Sequence, residues 1–176
     1  MHRRHVLHAA ALAATLSALL HAQAPPPAPD WTRVQAETLE HFQALLRMDT
    51  SDPPGNERPA AEYLRRVLER EGIPVQVVEP EPNRVNVIAR LAGSGRKKPL
   101  LFMAHTDVVT VDPKKWKFPP FSGTRDGGYV YGRGAVDDKD NVVASLMTMV
   151  LLKRLNVPLS RDVIFVARNP GFQFAD

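Results

Sequence analysis

The chain has 176 residues, a length that suits one domain with a buried core. Its formal charge of +4 includes Arg3 and Arg4 of an N-terminal leader, and subtracting those two leaves +2, too balanced to imply nucleic-acid or acidic-membrane partners. Cysteine is absent, which excludes disulfides, thiolate metal sites and a cysteine nucleophile, and leaves His, Asp and Glu to hold any metal.

Residues 1–24 read as an export signal. Met1 to His5 is basic, Val6 to Leu20 is an apolar run rich in Ala and Leu, and Ala22-Gln23-Ala24 has the small-x-small form of a cleavage site. Pro25 disfavours a cut after Ala24, so a cut after Ala22 is the alternative. Arg3-Arg4-x-Val6-Leu7 also resembles a twin-arginine signal, and both export routes stay open. Either predicts a periplasmic or extracellular protein. The apolar run is short for a membrane span, so none is expected once the signal is removed. Residues 25–30 form a Pro-rich linker, and residues 31–176 form one domain.

Asp30 is placed to cap a helix over Trp31 to Arg47, with Val34, Thr38, Leu39, Phe42, Leu45 and Leu46 on one stripe. Asp52-Pro53-Pro54-Gly55-Asn56 breaks the chain before a second helix, Pro59 to Arg70, that ends at Gly72. Strands follow at Val75 to Val78 and Asn86 to Leu91. Pro99 to Ala104 is a continuous apolar run, expected to be a strand covered on both faces. A strand at Tyr129 to Tyr131, a helix over Lys139 to Leu155 and a buried strand at Asp162 to Ala167 complete the pattern. The basic clusters Arg96-Lys97-Lys98 and Lys114-Lys115 read as solvated loops, Trp116 and Phe118 as packing residues, and His41 as an ordinary helix residue. The fold class expected is α/β, with helices on both faces of a mixed, largely parallel sheet.

Side chains two apart on a strand share a face, so His105 and Asp107 project together at the C-terminal end of the apolar strand, where open α/β sheets bind ligands. A neutral imidazole ligates zinc, and a carboxylate beside it can orient the ring. By itself this pair is equally compatible with a structural hydrogen bond. The stretch Gly132-Arg133-Gly134-Ala135-Val136-Asp137-Asp138-Lys139-Asp140 is a glycine-permitted turn feeding a helix N-terminus. Asp138 and Asp140 read as residues that stabilise the helix start. Asp137 reads so as well, unless its companions make it more.

Those companions carry a resemblance. Phe102-Met103-Ala104-His105-Thr106-Asp107-Val108-Val109, Trp116, Pro120-Phe121-Ser122-Gly123, Gly128 to Lys139, and the early loop Asp49 to Glu57 together resemble the zinc metallopeptidase family of aminoacylase, acetylornithine deacetylase, succinyl-diaminopimelate desuccinylase, carboxypeptidase G and carnosinase. The resemblance spans Trp31 to Ala167. It implies that His105 is a zinc ligand, that Asp137 bridges two zinc ions, and that Asp107 is an auxiliary catalytic aspartate. Cobalt or manganese could replace zinc. It further implies a water shared by the ions, a glutamate general base, and substrates that are short peptides or N-acyl amino acids. Family members are homodimers through an inserted domain without counterpart in this sequence.

After the strand ending at Ala167 the family has a pair of glutamates, a general base and a ligand. This sequence continues Arg168-Asn169-Pro170-Gly171 and has no glutamate after Glu81. Asp140 also stands where the family usually has glycine. The expectation is a truncated catalytic domain, inactive or weakly active, by frameshift or as a short paralogue. The alternative is a non-catalytic pseudoenzyme or binding module that keeps the fold. Dinucleotide binding is disfavoured, because neither Gly93-Ser94-Gly95 nor Gly132-Arg133-Gly134 extends to the full glycine fingerprint.

Overall fold

A computed structural model describes residues 28–169. The expected export signal and residues 170–176 lie outside the described residues, as does the first half of the Pro-rich linker. Helix α1, Trp31–Leu46, begins where expected, with the Asp30 carboxylate accepting from the Arg33 amide at 3.2 Å. It buries Leu45 and Leu46, and also His41, which reads from the sequence as an ordinary helix residue. Helix α2, Arg58–Arg70, carries Pro59 in its first turn, where a missing N–H costs nothing, and buries Ala60, Ala61, Leu64, Val67 and Leu68. It closes at Gly72, whose φ of +65° allows the Ile73 amide to reach back to the Leu68 carbonyl at 3.0 Å.

Strands β2 (Val75–Glu81) and β3 (Arg84–Leu91) form a hairpin around Asn83, which adopts a positive φ of 67° and receives the Arg58 guanidinium on its side-chain oxygen. Strand β4 (Leu100–His105), helix α3 (Lys139–Arg154) and strand β8 (Val163–Arg168) form a β-α-β crossover, with β4 parallel to β8. The sheet order is β2-β3-β8-β4. Between β4 and α3 lie the two-residue strand β5 (Val108–Val109) and the hairpin of β6 (Thr124–Asp126) and β7 (Tyr129–Tyr131). Strand β1 (Ser51–Asp52) pairs in parallel with β5.

The α/β class and the mixed sheet agree with expectation. The balance of the sheet does not: β2–β3 and β3–β8 are antiparallel, and only β8–β4 is parallel. The tight β2–β3 turn forces antiparallel pairing, whereas a parallel pair needs a long crossover. Helices on both faces are likewise not found among the described residues. One apolar cluster joins Leu45 of α1, Leu64 and Leu68 of α2, Leu146 and Met149 of α3, and Val87, Ala89, Phe165 and Ala104 of the strands. All three helices therefore gather on one face.

The apolar run of β4 is the clearest departure. β4 sits at the sheet edge, and Leu101 and Met103, on the face away from the helices, are 43% and 49% exposed. A run without alternation suggested burial on both sides, yet only Phe102 and Ala104 reach the core. No helix among the described residues is long and apolar enough to cross a membrane.

Candidate metal centre

The C-terminal end of β4 delivers His105, and its parallel partner β8 ends beside it, with His105 opposite Arg168 in register. The chain then turns. The Thr106 amide donates to the Arg168 carbonyl at 3.1 Å, and the Thr106 carbonyl accepts from the Thr50 hydroxyl at 2.6 Å. The early loop is thus stitched to the His105–Asp107 segment, both by this bond and by the β1–β5 pairing. The sequence resemblance of residues 49–57 now has a structural meaning: the loop buttresses the site from behind.

The three residues singled out from the sequence come together around one imidazole. His105 Nδ1 lies 3.1 Å from the Asp107 carbonyl oxygen and 3.3 Å from its carboxylate Oδ1. Nε2, on the opposite edge, lies 2.9 Å from Asp137 Oδ1. The Asp107 side chain is 16% exposed, while that of Asp137 is 86% exposed, so one carboxylate backs the ring and the other meets solvent. Hydrogen bonding to the Asp107 side chain, opposed by burial and aided by the charges of Asp107 and Asp138, raises the His105 pKa to about 9. Both ring nitrogens face oxygen acceptors, as an imidazolium requires. The 3.3 Å approach to Oδ1 is oblique enough that the contact is closer to an ion pair than to a directed bond.

The Asp137 loop is held by two devices. Gly134 has φ +84°, and a Cβ there would lie 2.7 Å from Val108 Cγ1, so only glycine lets the turn pass against β5. Lys139, fully buried at the start of α3, donates through Nζ to the carbonyl oxygens of Leu45 and Met48. Burial pushes its pKa down to about 8.

Neither Lys139 nor Asp138 was singled out as more than helix-start chemistry. Asp138 does occupy the N-cap position of α3, but its side chain makes no cap bond. Its Oδ2 accepts instead from the backbone amide of His105 at 3.1 Å. A second buried charge was also missed: Glu57, 0% exposed, pairs with Arg84 Nη1 at 2.9 Å, and Arg84 Nη2 reaches Asp52 at 3.1 Å. Burial raises the Glu57 pKa, and this triad pins the loop at residues 52–57 to β3.

An imidazole with one nitrogen held by the carbonyl and the charge of Asp107 and the other turned to a solvent-facing carboxylate has the donor chemistry of a zinc, cobalt or manganese centre. The number of donors is short of one. Zinc centres take roughly three or four protein ligands, and among the described residues no group of three His, Cys, Asp or Glu side chains is placed to hold a metal ion.

The β-α-β unit that carries His105 and Asp137 belongs to an α/β fold shared with the catalytic domains of solved M20-family peptidases. Residues 101–168 match the family model of peptidase family M20/M25/M40. The chain is 37% identical over 133 residues to the N-formyl-4-amino-5-aminomethyl-2-methylpyrimidine deformylase of Halalkalibacterium halodurans, covering 73% of this chain and 31% of the relative. The M20-family metallo-carboxypeptidase Sso-CP2 of Sulfolobus solfataricus superposes with a TM-score of 0.66 at 26% identity, covering 75% of this chain and 30% of that one. A dinuclear metal-binding M20 peptidase of Bacillus subtilis, at 20% identity and a TM-score of 0.56, shares the fold and covers 79% of this chain and 36% of its own length. The chain thus spans about a third of the length of the proteins it matches.

Proposed function

We propose that this chain carries the first half of a two-metal amide-hydrolase centre, with His105 and Asp137 as ligands and Asp107 as the carboxylate that fixes His105. The observation that carries the reading is the His105 imidazole held between Asp107 and Asp137 at the end of β4. Zinc suits this donor set, with cobalt or manganese as alternatives. Bound there, the ions would supply a water of lowered pKa and polarise a scissile carbonyl.

The chain's own residues prepare that chemistry. Asp107 holds Nδ1 and so commits Nε2 to the open side. Asp137 presents its carboxylate to solvent on a turn fixed by Gly134 and Lys139. The substrate class we propose is amides of amino acids, either short peptides or N-acyl amino acids. Among the described residues no glutamate joins His105 and Asp137 at the site to act as general base, so slow or absent hydrolysis is expected of this segment by itself. We further propose that residues 1–24 export the protein.

The test is metal titration of the purified chain with Zn²⁺ and Co²⁺, joined to turnover on dipeptides and N-acetyl amino acids. Weak binding that disappears in His105→Ala and Asp137→Ala is expected, with turnover near background. Binding indifferent to both substitutions would remove the reading. Stoichiometric binding without any turnover would favour a non-catalytic protein that keeps the pocket.

A further inference from the structure

We propose that Asp138 is a positioning residue: its carboxylate seats the main chain of His105 against the start of α3 and so fixes the distance between His105 and Asp137. The proposal rests on the reading of His105 and Asp137 as ligands, and its test is arranged to fail separately from that reading.

Three observations point the same way. First, an aspartate at a helix N-cap ordinarily accepts from an amide of the first turn. Asp138 forgoes this bond. Second, both of its oxygens are committed elsewhere: Oδ2 accepts from the His105 amide at 3.1 Å, and Oδ1 accepts from Asn141 Nδ2 at 2.5 Å. The side chain is 17% exposed and Oδ2 stands 4.0 Å from His105 Nε2, so it approaches the imidazole without bonding it. Asp138 is therefore engaged in holding the backbone and is no third ligand.

Third, the sheet explains why His105 needs such a partner. Successive amides of a strand point to opposite edges. The Thr106 amide takes the Arg168 carbonyl, on the β8 side. The His105 amide consequently points to the other edge of β4, where no strand among the described residues pairs with it. The Asp138 carboxylate fills the role a neighbouring strand's carbonyl would have. Because residues 137 and 138 are adjacent, anchoring 138 to the backbone of 105 delivers the Asp137 carboxylate to the imidazole of 105, at 2.9 Å.

The substitution that separates the two roles is Asp138→Ser. A serine can still cap α3, but its hydroxyl is one bond too short to reach β4. Asp138→Asn keeps a side-chain carbonyl oxygen of the original reach. Backbone amide exchange at His105 is followed by NMR on the full chain, alongside Co²⁺ titration and thermal unfolding. In Asp138→Ser the His105 amide is expected to exchange about tenfold faster, as for a lost bond to a charged acceptor. Co²⁺ affinity is expected to fall about tenfold, as for loss of a group that supports a ligand. Amides within α3 stay protected and the unfolding temperature holds. Asp138→Asn keeps both His105 protection and Co²⁺ affinity near the parent values.

Unchanged His105 exchange in Asp138→Ser overturns the proposal. So does faster exchange spread evenly through α3 in both variants, which marks a general loss of stability. A parent chain that binds no Co²⁺ overturns the reading of function, and the exchange measurement then decides the role of Asp138 alone.

Discussion

The ammonium of Lys139 donates to the carbonyl oxygen of Met48 at 2.8 Å, across more than half of the described sequence. With its second bond, to the Leu45 carbonyl at 3.0 Å, it ties the start of α3 to the end of α1, where terminal carbonyls and the helix dipole favour a cation. Lys139→Met keeps the volume of the stem and removes both bonds. We predict a loss of about 1–3 kcal/mol, the cost of stranding buried acceptors. Urea unfolding at neutral pH measures it. An unchanged midpoint would mean that water replaces the ammonium.

Gly134 is the position where local geometry and site geometry meet. Alanine there must adopt φ +84° and press on Val108 and on the Lys139 stem, 3.1 Å away. We predict that Gly134→Ala costs more than about 1 kcal/mol. The same change should weaken any binding that uses Asp137. Thermal unfolding and Co²⁺ titration of the variant check the two effects together.

The buried His41 gives the fold a pH dependence. Its Nδ1 lies 2.7 Å from the Tyr63 hydroxyl, and burial lowers its pKa below the ordinary 6.5, against the nearby Glu37. The unfolded chain therefore binds a proton more readily than the folded one. Stability from this group is full above the unfolded pKa and is lost as pH falls below it, toward the folded value. Urea midpoints at pH 7.5 and 5.5 should differ in the parent, and the difference should shrink in His41→Gln. An equal difference in the variant would place the effect elsewhere.

Arg154 bridges all three helices, with two bonds of 2.7 Å to Glu37 of α1 and bonds of 2.9 and 2.6 Å to Glu71 beyond α2. Its guanidinium is about one-third exposed, so solvent screens the pairs. Arg154→Ala is expected to cost about 1 kcal/mol at low salt and less in concentrated NaCl. A loss independent of salt would point to packing of the side-chain stem.

Much of this fold was legible in the chain. The three helices lie within a residue or so of their expected bounds, because their apolar stripes and the signals at Asp30, Pro59 and Gly72 act locally. Strand β4 was found but its surroundings were misjudged, since an apolar run records that a strand is buried in some assembly, not which neighbours are present. At the site, the meeting of His105, Asp107 and Asp137 was legible through flanking motifs. Asp138, Lys139 and the Glu57–Arg84 pair were not, because each acts on a backbone or a charge distant in sequence. Such long-range bonds leave no periodicity to read. The two-residue β1–β5 pair was invisible for the same reason.

The Asp138 bond has one more consequence, which concerns what else could attach to β4. That strand lines one edge of the sheet, with Leu101 and Met103 open to solvent. An unpaired edge of this kind is a template for any extended peptide, another copy included. The final amide of the strand is already claimed by the Asp138 carboxylate, which sits there as a stopper. An added strand can zip along the front of β4 and must halt before His105. Self-association through this edge would then leave Co²⁺ uptake by the chain unchanged, and light scattering recorded during the titration would reveal it.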